Sequence, residues 1–260
     1  MIKILKYTIY DLSRSKWLYF YLGFYLAAGF ILLFLNHNLH SGIINLMNLV
    51  LVVSPLICTV LGVIYNYNSR DFVELLISQP IKRQDIFLGQ YFGLSLALSA
   101  AIFAGVIIPF IFYGLLKSGE IWNLISMVIS GIFLNFIFTG VSMYIGIIFE
   151  NKIMGFGLSI FIWLFTAIVY DGLFLLGLFI FSNYPLEKIS IAATMFNPID
   201  LARIQIILQL ENSAMMGYTG AVFKKFFGSG PGMALSAGVN ILWIAILILL
   251  IKRAGDRKDF

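Results

Sequence analysis

The sequence predicts an all-α integral membrane protein with six transmembrane helices. Three observations carry this. Of 260 residues, 61% are apolar and only 11% charged, where a soluble domain carries roughly 25% charge. Six apolar runs reach or exceed the roughly 20 residues needed to cross a bilayer. Most Lys and Arg residues stand at the edges of those runs, where they set orientation. The whole chain, 1–260, reads as one six-span domain. Its formal charge of +5 comes without any basic run of five, so it does not point to nucleic acid; the lipid bilayer is the surrounding partner.

Residues 1–16 put Ile2, Leu5, Ile9 and Leu12 at helical spacing with Lys3, Lys6 and Arg14 elsewhere on the wheel. That pattern fits an interfacial amphipathic helix; a frayed basic terminus is the plainer alternative. These charges also interrupt any continuous hydrophobic region, so no cleavable signal is expected and the first span serves as an uncleaved one. That span is Trp17–Leu35, with Trp17, Tyr19 and Tyr21 as an aromatic belt. Asn36–Gly42 is a turn. The second span, Ile43–Tyr65, contains Pro55, which is expected to kink it or open a local gap.

Residues 66–88 form the longest polar interruption of the first 180 residues. Phe72, Leu75, Leu76 and Gln79 fall on one side of a short helix, with Arg70, Asp71, Glu74 and Ser78 largely around the other. Pro80 is expected to end it, and Lys82 and Arg83 follow. An amphipathic helix held between two spans and followed by positive charge suits docking to a soluble partner.

The third span, Gly89–Leu116, repeats small residues at every fourth position: Gly89, Gly93, Ala97, Ala101 and Gly105. Such a stripe admits close helix approach, within one subunit or across a dimer. After Lys117–Glu120 comes the fourth span, Ile121–Phe149, and after Glu150–Lys152 the fifth run, Ile153–Phe181. Asp171-Gly172 interrupts that run. The favoured expectation is that the span ends near Asp171 and the remainder turns back; a tilted continuous helix is the alternative.

Residues 182–232 form the largest extramembrane segment. Asn197-Pro198 is a helix start, with Asn as cap and Pro at the first helical position. The helix to about Leu210 carries Ile199, Ala202, Ile206 and Leu210, with Asp200 and Arg203 three apart. A second short helix carries Ala221, Phe223, Phe226 and Phe227. Both read as amphipathic and surface-lying. The sixth span, Met233–Ile251, precedes a charged tail. With the N-terminus inside, twelve of the seventeen Lys and Arg residues are cytoplasmic. Both ends and residues 66–88 are then inside, and 182–232 is outside.

No phosphate-binding G-x-x-x-x-G-K-[ST], H-E-x-x-H or paired cysteines occur. Cys58 is the sole cysteine. His37 and His40 could share a metal, but two ligands are incomplete and solvated histidines are commoner. Met195, Met215 and Met216 could offer soft ligands, though interfacial packing is the expected role. Asp171 could serve a proton or substrate; a helix-end role is the plainer one. The chain therefore reads as a non-enzymatic membrane subunit that binds no cofactor or metal and is driven by another protein.

The run R-D-F-V-E-L-L-I-S-Q-P-I-K-R followed by G-Q-Y-F-G resembles the segment after the second span of ABC-2-type permeases. Glu74, Leu75, Leu76, Pro80, Ile81, Arg83 and Gly89 carry the resemblance; a Gly-Thr pair common in the family is Phe72-Val73 here. The resemblance implies the ABC-2-type permease fold, with a coupling helix docking an ATP-binding subunit dimer that holds ATP and Mg. Arg70, Asp71, Glu74, Leu75, Pro80 and Arg83 are its expected contacts. It also implies a second copy of the permease. A narrower resemblance lies in F-N-P-I-D-L-A-R-I (196–204), M-M-G-Y-T-G-A-V-F (215–223) and the closing K-D-F. These are similar to the NosY-type permease, which serves copper-site maturation of nitrous oxide reductase in the bacterial inner membrane. That implies a periplasmic β-helical partner, with Asn197, Pro198, Asp200, Arg203 and Tyr218 as its expected contacts. The alternative is a generic ABC-2 exporter of a lipid, drug or sulfur compound.

Overall fold

The structure is a computed structural model describing residues 1–36, 38–115, 118–181, 187–209 and 230–258. These are helical apart from short turns. The helices are α1 (Ile2–Ser13), α2 (Lys16–Asn36), α3 (Leu39–Asn68), α4 (Arg70–Ile77), α5 (Arg83–Phe112), α6 (Ile121–Ile148), α7 (Lys152–Leu164), α8 (Tyr170–Ile180), α9 (Glu187–Phe196), α10 (Pro198–Gln209) and α11 (Gly230–Arg257). A five-residue π-helical segment, Phe165–Val169, joins α7 to α8. Six helices are long and apolar enough to cross a membrane: α2, α3, α5, α6, the continuous α7–α8, and α11.

The stretches α3, α5 and α6 form the centre, with 56%, 61% and 61% of their most apolar windows buried; α2, α7–α8 and α11 surround them at 22%, 17% and 22%. Successive spans alternate in direction. One side of the bundle holds the start of α1, α4 and the end of α11, and is called the termini side below. Contacts fix this: the N-terminal ammonium lies 3.6 Å from Asp85, and Arg83 donates to the Lys258 carbonyl at 2.6 Å. On the opposite side His40 meets Glu120 at 3.2 Å. His37 lies outside the described residues.

The small-residue stripe of α5 is filled from within the chain. A Cβ on Gly89 would lie 2.9 Å from Ile4 Cβ; one on Gly93, 2.6 Å from Thr8 Cβ; one on Gly105, 2.8 Å from Tyr25 Cβ. So α1 climbs the first turns of α5, and α2 continues along it. The buried ridge of α1 is Ile4, Thr8 and Leu12, while its charges stay exposed. Small residues let backbones approach and gain dispersion contacts over a long seam.

Pro55 does not end α3, which is helical from Leu39 to Asn68. Proline removes the amide that would bond the Leu51 carbonyl. Nearby groups stabilise the turn: Thr59 Oγ1 donates to the Pro55 carbonyl at 2.9 Å, and Trp163 Nε1 to the Val52 carbonyl at 3.0 Å.

Two expectations are corrected. The fifth span does not end at Asp171: the helix runs unbroken from Lys152 to Ile180. The physical reason lies 32 residues on, where Arg203 Nη1 donates to Asp171 Oδ2 at 2.6 Å and neutralises it. Nor is α10 surface-lying. Ile199, Leu201, Ala202, Ile204 and Ile206 are all buried, facing several directions around the helix. It packs against α3, α6, α9 and α11. Its two charges, Asp200 and Arg203, pair with each other at 3.1 Å, which lets an otherwise uncharged helix enter the bundle. The second short helix expected near 221–227 lies outside the described residues.

Candidate functional site

Two regions carry chemistry that packing alone does not call for. The first is the face around α4. Val73 is buried, and Leu76 and Ile77 pack into a cluster with Ile4, Phe87, Tyr91 and Ile147. Phe72 stacks on Tyr7 of α1 with ring centroids 4.5 Å apart. These contacts seat α4 against α1 and α5. The opposite face holds Asp71, Glu74 and Leu75, all exposed, and Leu75 is 68% exposed. A protruding leucine flanked by two carboxylates is an uncovered, amphipathic surface.

The helix stops at Ile77, three residues before Pro80. Pro80 disfavours the helical conformation of the residue before it, and Ser78 Oγ donates to the Leu75 carbonyl at 2.8 Å. Pro80 itself is exposed.

The two arginines expected to dock have work inside the chain. Arg70 donates to the Phe149 and Glu150 carbonyls at 2.9 and 3.0 Å and lies over the Tyr67 ring at 4.5 Å. It thereby ties α4 to the α6–α7 turn, since those carbonyls at the end of α6 lack helical donors. Arg83 holds the Lys258 carbonyl, Gln84 bonds Asp256, and Lys258 Nζ reaches Glu150 at 3.1 Å. The termini side is thus a connected polar belt that links α4 to the ends of α5, α6, α7 and α11.

The second region is the α9–α10 pair, bent by 114° at Asn197. Asn197 is the cap the sequence leads one to expect: its Oδ1 accepts from the Ile199 amide at 3.1 Å. Its Nδ2 also donates to the Thr166 carbonyl at 2.8 Å and to Asp200 Oδ2 at 2.9 Å. Thr166 sits in the π segment, where the wider ladder leaves carbonyls short of their usual donors. The irregularity in the fifth span and the corner of α9–α10 therefore satisfy each other.

Depth follows from helical rise. Thr166 lies about 21 Å along the fifth span from Lys152. Trp243, whose Nε1 donates to the Met195 carbonyl at 3.3 Å, lies about 20 Å along α11 from Gly230. Gln205 then bonds Ser236, only about 9 Å from the start of α11. The pair enters from the side opposite the termini, turns near mid-thickness at Asn197 and climbs back. This is a re-entrant path, and its polar groups are buried in protein, as irregular backbone at membrane depth requires.

Beside the corner, Arg203 bridges Asp171 and Asp200, and Tyr170 donates to the Ala193 carbonyl at 2.6 Å. Asn197 is 1% and Asp200 8% exposed. Of the residues expected to meet an outer partner, Asn197, Asp200 and Arg203 are thus brought together, but as an internal cluster. Tyr218 lies outside the described residues, as do Met215 and Met216. Ionisable groups in such a position are functional candidates by default.

A further buried polar junction was not foreseen, and it claims Tyr21, which was expected in the aromatic belt but is fully buried. Ser54 Oγ lies 3.0 Å from the Tyr21 hydroxyl and 2.8 Å from that of Tyr25. Asn135 Oδ1 accepts from Tyr21 at 3.2 Å and from Cys58 Sγ at 3.1 Å. The signal was present as Tyr21 and Tyr25 one turn apart, and as Asn135 within a long apolar run. It joins α2, α3 and α6 where hydrocarbon offers no hydrogen bonds. No family model and no curated protein matches this chain.

Proposed function

We propose that the chain is the membrane-spanning permease subunit of an ABC transporter of the ABC-2 type. It transmits ATP hydrolysis by a separate ATPase subunit to transport, or to motion of a partner across the membrane. The observation that carries this reading is the seated α4 helix, whose exposed Asp71, Glu74 and Leu75 stand out from a belt joining four spans. A load on that face reaches the ends of those spans through Arg70, Arg83 and Lys258. The proposed ATPase contacts are accordingly Asp71, Glu74, Leu75 and Pro80, with Arg70 and Arg83 positioning the helix. Catalysis belongs to the ATPase, and this chain acts without a cofactor of its own.

The termini side is proposed as cytoplasmic, in a bacterial inner membrane, in line with the distribution of Lys and Arg. A second copy is proposed as neighbour, supported by the largely uncovered apolar faces of α2 and α7–α8. Copper-site assembly of nitrous oxide reductase is the process favoured by the sequence motifs at 196–204 and 215–223. The re-entrant α9–α10 pair would then be the element moved, with its connecting residues meeting the periplasmic β-helical partner. The alternative, export of a lipid or other apolar compound, is favoured by one observation. An apolar cavity of about 800 Å³ opens between α8 and α9, lined by Phe174, Leu178, Phe181 and Ile189 among others.

Glu74→Arg and Leu75→Asp test the reading. Both positions are exposed, so membrane insertion is expected to survive while ATPase binding and coupled turnover fall. Loss of one charge-assisted contact costs on the order of 2–5 kcal/mol. Unchanged ATPase binding and turnover in both variants would overturn it.

A further inference from the structure

A crevice of about 430 Å³ opens between the α1–α2 junction and the end of α3. Its mouth carries Asp11, Arg14, Asn68 and Ser69; its floor is Leu18, Leu61, Ile64 and Leu98. From Asn68 down to Leu61 is about 10 Å along α3. The spans α2 and α3 end at this level, so the mouth lies at the headgroup layer and the floor in hydrocarbon. Trp17 and Tyr7 also line it, and such rings favour this boundary.

The charges are arranged unusually. Asp11 and Arg14 are three apart on one helical turn, a spacing at which opposite charges commonly pair. Here Arg14 turns back instead, with its guanidinium bonded to the Tyr10 hydroxyl and 4.3 Å from that ring's centroid. Asp11 has no ion-pair partner among the described residues. Among the described residues these two are the only charged ones lining the crevice, so that lining carries one anion, one cation and no net charge.

A polar mouth with separated opposite charges over an apolar floor fits an amphiphile whose head is itself a zwitterion. We propose that the crevice binds one phospholipid with a phosphoethanolamine head, its ammonium at Asp11, its phosphate at Arg14 and an acyl chain along Leu61 and Leu98. An anionic lipid would satisfy Arg14 and be repelled by Asp11. A free head would leave the floor empty. Ser69 and Phe72, at the start of α4, also line the crevice, so the lipid would touch the helix that presents Leu75. The assignment does not depend on the ATPase reading.

The test is native mass spectrometry of the full chain in mild detergent, titrated with phosphatidylethanolamine or phosphatidylglycerol of identical chains. Asp11 and Arg14 are exposed, so Asp11→Asn and Arg14→Gln should keep the wild-type melting temperature. Wild type is expected to prefer phosphatidylethanolamine by about fivefold, the scale of one interfacial charge contact. Asp11→Asn should abolish the preference, and Arg14→Gln should weaken both lipids by a similar factor. Soluble phosphoethanolamine should displace neither lipid at equal concentration. Equal binding of the two lipids by wild type, wild-type binding by the double variant, or displacement by the soluble head would each overturn the proposal.

Discussion

Arg203→Met removes the one cation among the described residues that touches both Asp171 and Asp200, at 2.6 and 3.1 Å. The side chains of Arg203, Asp171 and Asp200 are 27%, 29% and 11% exposed, so solvent screens the loss only in part. Breaking a buried pair by deleting one partner costs about 3–5 kcal/mol, because the remaining charge stays desolvated. Here two carboxylates are left side by side, and partial exposure offsets some of that, so about 3 kcal/mol is expected. At roughly 2–4 °C per kcal/mol for a chain of this size, the melting temperature should fall by about 10 °C. The assay is thermal unfolding in mild detergent, read as loss of the monodisperse peak on size exclusion. The partner variant Arg203→Met with Asp171→Asn removes one stranded carboxylate and should recover more than half of the loss, since residues in one network do not behave additively. A fall below about 1 kcal/mol in the single variant, or no recovery in the double one, would refute the view that this cluster holds α10 against the fifth span.

Three other outcomes follow from packing and hydrogen bonding. Gly93→Ala puts a Cβ 2.6 Å from Thr8 Cβ and should cost about 1–3 kcal/mol by overpacking; Gly23→Ala, with nothing within 4 Å, should be neutral or slightly stabilising, and thermal unfolding compares the two. Asn197→Ala strips the α10 cap and the donor to the Thr166 carbonyl, an expected loss of about 2 kcal/mol. It should be accompanied by faster hydrogen exchange around 165–169. Tyr25→Phe leaves Ser54 its contact with Tyr21, so only about 1 kcal/mol should be lost.

The six spans were legible because in this chain charge is confined to their ends, Asp171 in the fifth excepted. The helix after the second span was legible from its amphipathic spacing, and the Asn197-Pro198 start from a capping Asn followed by Pro at the first helical position. What the sequence misled on depends on long-range partners. Asp171 looks too costly for mid-helix until Arg203, 32 residues later, is placed beside it. The charges of α10 look like a solvated face until they are seen to pair with each other and with Asp171. Arg70 and Arg83 stand in a polar loop and look free to dock, yet carbonyls at the ends of α6 and α11 claim them. The stripe on α5 is legible as a close-packing face, but nothing local says that α1 and α2 are its partners.

Coupling of this chain to a separate ATPase through α4 is the proposal on which the other functional assignments, the lipid crevice apart, rest. The most direct measurement is purification of the tagged chain from its own membranes in mild detergent, beside a Leu75→Asp control. Co-purifying proteins are identified by mass spectrometry and assayed for ATP hydrolysis. A nucleotide-binding subunit is expected to accompany the wild type and to be lost from the control, while both chains are recovered intact. An intact wild-type chain that brings no such subunit, or a subunit retained equally by the Leu75→Asp chain with undiminished turnover, would contradict it.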